Sequence, residues 1–171
     1  GSTSYNVAVG TLAGSTITTG ARNTLIGGLA GDALTTGAYN TAMGYGALST
    51  EDAHGYNTAI GYDALNQLNA GGDSYNTAVG MQTGHAVTTG IYNTLIGANA
   101  GDALTTGSYN VAMGYGALGS EDTGGTSVAV GYAALALQDS GANAYNVAIG
   151  FDTGKAISTG VKNTLIGGAA G

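Results

Sequence analysis

The fold of this chain is decided by a five-residue stretch that reads Asn57-Thr58-Ala59-Ile60-Gly61. In an extended segment Thr58 and Ile60 would share one face, whereas Ala59 and Gly61 would share the other. β-Branched residues at alternate positions are typical of strands. A helix is disfavoured, because each glycine inside a helix costs about 1 kcal/mol relative to alanine. The stretch therefore predicts a short β-strand.

The same pattern recurs along the whole chain at nearly constant spacing. Its Asn positions, with Ser127 in one of the places, lie 17 residues apart except for two steps of 19: Asn6, Asn23, Asn40, Asn57, Asn76, Asn93, Asn110, Asn146 and Asn163. A glycine follows each position after four residues: Gly10, Gly27, Gly44, Gly61, Gly80, Gly97, Gly114, Gly131, Gly150 and Gly167. Four steps make a unit of 70 residues. We therefore predict a single repeat array over 1–171, with long units 1–70 and 71–140 and a partial unit 141–171.

A second and weaker extended stretch follows in several repeats. Examples are 33–36 and 86–89, which end at Gly37 and Gly90, where we expect a turn with a positive φ angle. Two short strands and two turns per repeat predict one coil of a parallel β-solenoid, a β-roll or β-helix. The fold class is thus all-β, with about ten coils of 17–19 residues. We expect the Asn column to form a side-chain ladder or to hold a turn by backbone hydrogen bonds.

The energetics of one coil favour association with other chains. Ordering 17 residues costs about 17–34 kcal/mol of backbone entropy. Two or three larger apolar side chains per coil, worth roughly 1.5–3 kcal/mol each when buried, leave a thin coil underfilled. The strand face that carries Ala and Gly would let a second backbone approach closely. We therefore predict lateral association through that face into a homotrimeric fibre.

Composition and charge exclude several classes of partner. The chain has 33 Gly, no Pro, no Cys and no Trp, and its 3 Lys+Arg against 10 Asp+Glu give a net charge of −7. A surface this acidic does not suit nucleic acid or an anionic membrane. Without cysteine there is neither a disulfide scaffold nor a thiolate metal site. No apolar run approaches the ~20 residues of a membrane span, so membrane insertion is not expected. Because the repeats begin and stop without atypical ends, we expect an excerpt of a longer fibre, or end-to-end stacking.

Two known groups of repeat proteins resemble this chain. The segment Ser127–Gly131 resembles the Ser-Val-Ala-Ile-Gly core of trimeric autotransporter adhesin heads, which are trimeric parallel β-rolls. Coils such as 56–65 are similar to the Asn-Thr-Ala-(Ile/Val)-Gly-Tyr arrays of phage tail-fibre and related virion proteins. Both resemblances imply a β-solenoid in a trimeric extracellular fibre.

Charged and ionisable residues are few, and none forms a catalytic motif. Glu51-Asp52 and Glu121-Asp122 recur 70 residues apart, and we interpret them as a solvated loop. A carboxylate pair for glycoside hydrolysis and a weak calcium site are the alternatives. His54 and His85 occupy different places in the repeat and lack ligand spacing, so we interpret them as solvated or turn residues. We predict no catalytic, cofactor-binding or metal-binding residues, no cofactor and no enzymatic activity.

The tyrosines form two columns in the predicted stack. One column precedes the Asn positions, and the other follows the Gly positions at Tyr45, Tyr62, Tyr115 and Tyr132. Exposed aromatic rings could stack on sugars or contact a cell-surface partner, so the second column is a candidate contact surface. The alternative interpretation, which we favour, is that both columns cover coil edges or pack between chains.

These observations lead to one functional hypothesis and two alternatives. We expect a structural and adhesive fibre segment, of the kind found in phage tail fibres, that carries or presents host-receptor binding on the virion surface. The expected partners are other copies of the chain and a cell-surface receptor or glycan. The first alternative is a bacterial surface adhesin head or an extracellular filament. The second is a carbohydrate-cleaving spike.

Overall fold

The structure, a computed structural model, describes residues 4–171 and contains one short strand in every repeat. The strands are β1 (Val7–Val9), β2 (Thr24–Ile26), β3 (Thr41–Met43), β4 (Thr58–Ile60), β5 (Thr77–Val79), β6 (Thr94–Ile96), β7 (Val111–Met113), β8 (Val128–Val130), β9 (Val147–Ile149) and β10 (Thr164–Ile166). They pair in chain order into one ten-stranded sheet, and every pair is parallel. The predicted parallel β-solenoid is confirmed, with nine turns of chain between its ten strands.

The register follows the repeat residue by residue. Thr24 of β2 pairs with Thr41 of β3, which is the spacing of 17 in the sequence. At a step of 19, Thr58 of β4 pairs with Thr77 of β5, so the two extra residues bulge outside the sheet. The described residues contain no helix, and hence no helix that could cross a membrane.

The prediction of two strands per coil is wrong, because the second stretch is a series of turns and bends. Its amides do bond to the neighbouring coil, but they do not form a ladder. The backbone N–H groups of Thr18, Thr19 and Gly20 all donate to the carbonyl of Thr35, at 2.9–3.2 Å. Three amides on one carbonyl leave no one-to-one pairing, which a parallel strand pair requires.

The expected positive φ angles at Gly37 and Gly90 are also absent. The tyrosine two residues later takes that conformation instead, with φ of 60° at Tyr39 and 58° at Tyr92. Gly37 is needed for space, because a Cβ there would lie 2.5 Å from the carbonyl oxygen of His54 in the next coil. The glycine at the end of each strand has a similar role. At Gly44, where φ is 142°, a Cβ would lie 2.2 Å from the Gly61 carbonyl oxygen.

The middle residue of each strand points into the solenoid. Leu25 and Ala42, from neighbouring coils, are both fully buried in the core. Opposite the strand, Gly31 adjoins the Leu25 methyl groups, whereas Leu48 is a fully buried core residue of the coil that contains Ala42. Large and small residues thus exchange places across the core, which keeps it filled in coils of similar width.

The face predicted for chain association is therefore the wrong one. The Ala residues of the strands line the inside of the coil, where no second chain can reach them. The first and third residue of every strand point outward, and we call these two columns the outer strand face. The first column holds Thr or Val, and the second holds Ile, Val or Met. The narrow coil accounts for this choice, because only small side chains fit in most of its rungs.

Candidate functional site

The buried Asn column forms a continuous hydrogen-bonded ladder. In most rungs the side-chain Oδ1 accepts the backbone N–H of the next Asn position, at 2.8–3.1 Å. The Nδ2 group donates to a backbone carbonyl, usually one in the next coil. Asn93, for example, donates to the Gly107 carbonyl at 2.9 Å and accepts from the Asn110 amide at 3.0 Å. The ladder satisfies buried backbone groups where the chain turns into the strand, and it presents no polar atom to a ligand.

The one Ser in the ladder is supported by a neighbouring side chain. Ser127 Oγ accepts a hydrogen bond from Gln138 Nε2 at 3.0 Å, and Gln138 Oε1 accepts one from Asn146 Nδ2 at 2.6 Å. All three side chains are buried. The longer Gln side chain thus occupies the polar space that the shorter Ser leaves open.

Five tyrosines of the first column stack face to face along the solenoid. Tyr39, Tyr56, Tyr75, Tyr92 and Tyr109 have ring centroids 4.9–5.2 Å apart and planes within 14° of parallel. The guanidinium of Arg22 lies over the outer face of the first ring, 5.1 Å from its centroid. Neighbouring rings occupy both faces of the inner members, so only ring edges and hydroxyls remain exposed. This column cannot stack sugars on the faces of its inner rings.

The second column forms two shorter stacks. Tyr45 and Tyr62 lie 6.0 Å apart, and Tyr115, Tyr132 and Phe151 form a second stack at 5.6 and 5.0 Å. All five rings are exposed. A hydrogen bond to Asp63, followed by its negative charge, raises the pKa of the Tyr62 hydroxyl above 10.0. The columns supply exposed aromatic edges before and after each strand.

The outer strand face is the largest exposed apolar feature. Its side chains are half-buried or exposed although they are aliphatic or β-branched, as at Met43 (36 % exposed), Met113 (38 %) and Ile149 (40 %). It extends over all ten strands without interruption by a charged residue. Contiguous apolar surface of this kind is a mark of an interaction site.

The interpretation of the Glu-Asp pairs as a solvated loop is wrong for the glutamates. Glu51 and Glu121 are fully buried, whereas Asp52 and Asp122 are exposed. Glu51 Oε1 lies 3.0 Å from His54 Nδ1 and 3.2 Å from the His54 amide. A buried glutamate cannot reach a glycosidic bond, and the described residues form no ligand-sized cavity. The remaining acidic residues singled out in the sequence, Asp63 and Asp139, lie outside this cluster.

Comparison with protein-family models, curated proteins and solved structures finds no match to this chain.

Proposed function

We propose that this chain is a segment of a homotrimeric structural and adhesive fibre, of the kind that carries host-receptor binding on a phage virion. The observation that supports the proposal is the outer strand face, an uncharged apolar surface that runs along all ten strands. The contact face is thus the Thr/Val and Ile/Val/Met columns, rather than the Ala face expected from the sequence.

The regularity of the outer strand face favours a copy of the same chain as its partner. Its rungs recur at the strand spacing of ~4.8 Å, so a surface that fits every rung must have the same repeat. Three copies around an axis parallel to the solenoid would cover the face in all chains and close the assembly. Dimers also close, but three narrow coils enclose a shared core along a fibre axis.

The energetics require many rungs to act together. Burying a half-exposed Ile, Val or Met contributes about 0.7–1.5 kcal/mol, half the value for a fully exposed side chain. Ten rungs give roughly 7–15 kcal/mol per chain, which is comparable with the 4–15 kcal/mol that association costs. A few coils would therefore stay monomeric, whereas an array of ten coils can associate stably.

Sedimentation equilibrium tests the trimer directly. We expect three times the chain mass of 16.5 kDa. Ile60→Glu together with Ile96→Glu places charges on the outer strand face and should give monomers. The matched control, Gln67→Glu, adds a charge at an exposed position away from that face and should leave the trimer intact. A wild-type chain that stays monomeric at all concentrations contradicts the proposal.

Receptor contact is assigned to the exposed rings of the second tyrosine column. A labelled trimer applied to glycan arrays and to bacterial cells should bind a subset of surfaces. The variant Tyr62→Ala with Tyr132→Ala should lose that binding while keeping the trimer mass. If the wild-type trimer binds no surface, the segment acts only as a spacer that holds a binding tip away from the virion.

We further propose that the segment has no enzymatic activity. Burial of Glu51 and Glu121 supports this, since the carboxylate pair of a glycosidase must contact the sugar ring. Incubation with bacterial polysaccharides should release no reducing ends. If release occurs and is abolished by Asp52→Asn or Asp122→Asn, the carbohydrate-cleaving alternative is correct.

A further inference from the structure

Glu51 occupies a column of the core that is otherwise almost entirely aliphatic. The column holds the residue eleven places after each ladder position: Ile17, Leu34, Glu51, Leu68, Val87, Leu104, Glu121, Gln138 and Ile157. Glu51 thus lies between Leu34 in one coil and Leu68 in the next, and all three are fully buried. A buried carboxylate needs compensation by opposite charge or by hydrogen bonds.

The second long unit supplies that compensation with neutral donors. Glu121, the equivalent of Glu51, accepts a hydrogen bond from Gln138 Nε2 at 2.7 Å and from Ser140 Oγ at 3.2 Å on its Oε2 atom. Its Oε1 atom accepts the Gly124 amide at 2.9 Å. Both oxygens of Glu121 are therefore satisfied within the protein.

The first long unit lacks these donors and has a histidine instead. Leu68 and Ala70 stand where the second unit has Gln138 and Ser140, and His54 stands in place of Gly124. Glu51 Oε1 contacts His54, but its Oε2 atom is buried and has no hydrogen-bond partner among the described residues. The same position of the same fold thus leaves one carboxylate oxygen without a partner.

A third ligand atom lies beside this pair. One atom each from Glu51, Asp52 and His54 lies within 4.8 Å of the others. We propose that these three side chains bind one divalent transition-metal cation of the zinc type. His54 Nδ1 and Glu51 Oε1, now 3.0 Å apart, would both become ligands. Two ligands of a tetrahedral zinc ion with ~2.0–2.1 Å bonds lie about 3.3–3.4 Å apart, so a small adjustment suffices.

The ligand set favours zinc over calcium or magnesium. An imidazole nitrogen with two carboxylates suits zinc, whereas calcium and magnesium prefer oxygen ligands only. A divalent cation would also balance the charge of Glu51 and Asp52, in a protein of net charge −7. The exposed Asp52 and the part-exposed His54 leave a route for the ion from solvent.

Titration with zinc tests this site on the full chain, after removal of any affinity tag and of bound metal by a chelator. Calorimetry should show one zinc ion per chain, with no competition from a hundredfold excess of calcium or magnesium. His54→Gly, which installs the residue of the second unit, should weaken binding at least tenfold. His85→Gly is the matched control, because it removes the other histidine, and it should bind zinc as the wild type does.

Folding is separated from ligation by a second pair of measurements. His54→Gly should keep the wild-type circular dichroism without metal, and Glu51→Gln, which retains shape but not charge, should also weaken zinc binding. Cobalt in place of zinc should give the visible absorption of a four-coordinate site. The proposal is overturned if the wild-type chain binds no zinc, or if His54→Gly binds it as tightly as the wild type.

Discussion

Replacement of Asn93 by alanine tests whether the Asn ladder holds the coils in place. The substitution removes the side chain that bonds to the Gly107 carbonyl at 2.9 Å and to the Asn110 amide at 3.0 Å. Both groups belong to buried backbone of the next coil, and a narrow apolar interior leaves no room for water to replace the side chain. Each unsatisfied group costs about 1–3 kcal/mol, so we expect a loss of roughly 2–6 kcal/mol in the free energy of unfolding.

Urea unfolding measures the total loss, and amide hydrogen exchange locates it. Exchange at Asn110 should accelerate strongly in Asn93→Ala, because its acceptor is gone. The control is Thr94→Ala, which changes the adjacent outward-facing residue and should cost less than 1 kcal/mol. The reasoning is refuted if both variants lose the same stability, or if exchange at Asn110 is unchanged.

Three further predictions follow from the packing and the charges. Leu95→Ala should cost 2–5 kcal/mol in urea unfolding, because it leaves a cavity, and the second change Gly101→Leu should recover part of it by filling the same space. Gly97→Ala should destabilise more than 1 kcal/mol in the same assay, since its Cβ would lie 2.7 Å from backbone atoms of the next coil. Asp63→Asn should lower the pKa of Tyr62 toward 10.0, as measured by ultraviolet titration. A raised pKa favours the folded state below pH 10, and that contribution disappears as the pH rises through the pKa of the folded protein.

Much of the fold could be predicted from the spacing of one residue type. In a parallel solenoid the strand register equals the repeat length, so the positions of Asn23 and Asn40 already specify that Thr24 pairs with Thr41. The inward direction of the Ala face could not be predicted in this way. Period-two patterning separates two faces, but it does not say which of them the chain closes around. The closure depends on the buried Asn side chains, which share that face.

The second stretch of each coil was misread for a related reason. Leu34, Thr35 and Thr36 have the alternation and the β-branched residues of a strand, and local pattern favours that conformation. Their neighbours in the stack decide otherwise, since three successive amides converge on one carbonyl oxygen. Such convergence is a property of the path between coils, and no single repeat encodes it.

The burial of Glu51 could have been predicted by counting along the repeat. Its place, eleven residues after Asn40, is that of Leu34 after Asn23 and of Leu68 after Asn57. Composition obscured this, because a Glu next to an Asp resembles a solvated loop. What counting cannot supply is the hydrogen bonding, since only the coordinates place His54 beside one carboxylate and Gln138 beside the other.

The long period of 70 residues has its own cause in the packing of the core. Leu95 at the strand centre faces Gly101, while Ala112 in the next coil shares its coil with the buried Leu118. The coil before Leu95 has small residues in both places, and the Leu95 methyl group extends into its space, because a Cβ on Gly84 would lie only 2.7 Å away. One large side chain thus serves two coils. A shift of the register by one coil would oppose two leucines or leave two small residues unfilled, so the 70-residue pattern specifies the order of coils as well as their shape.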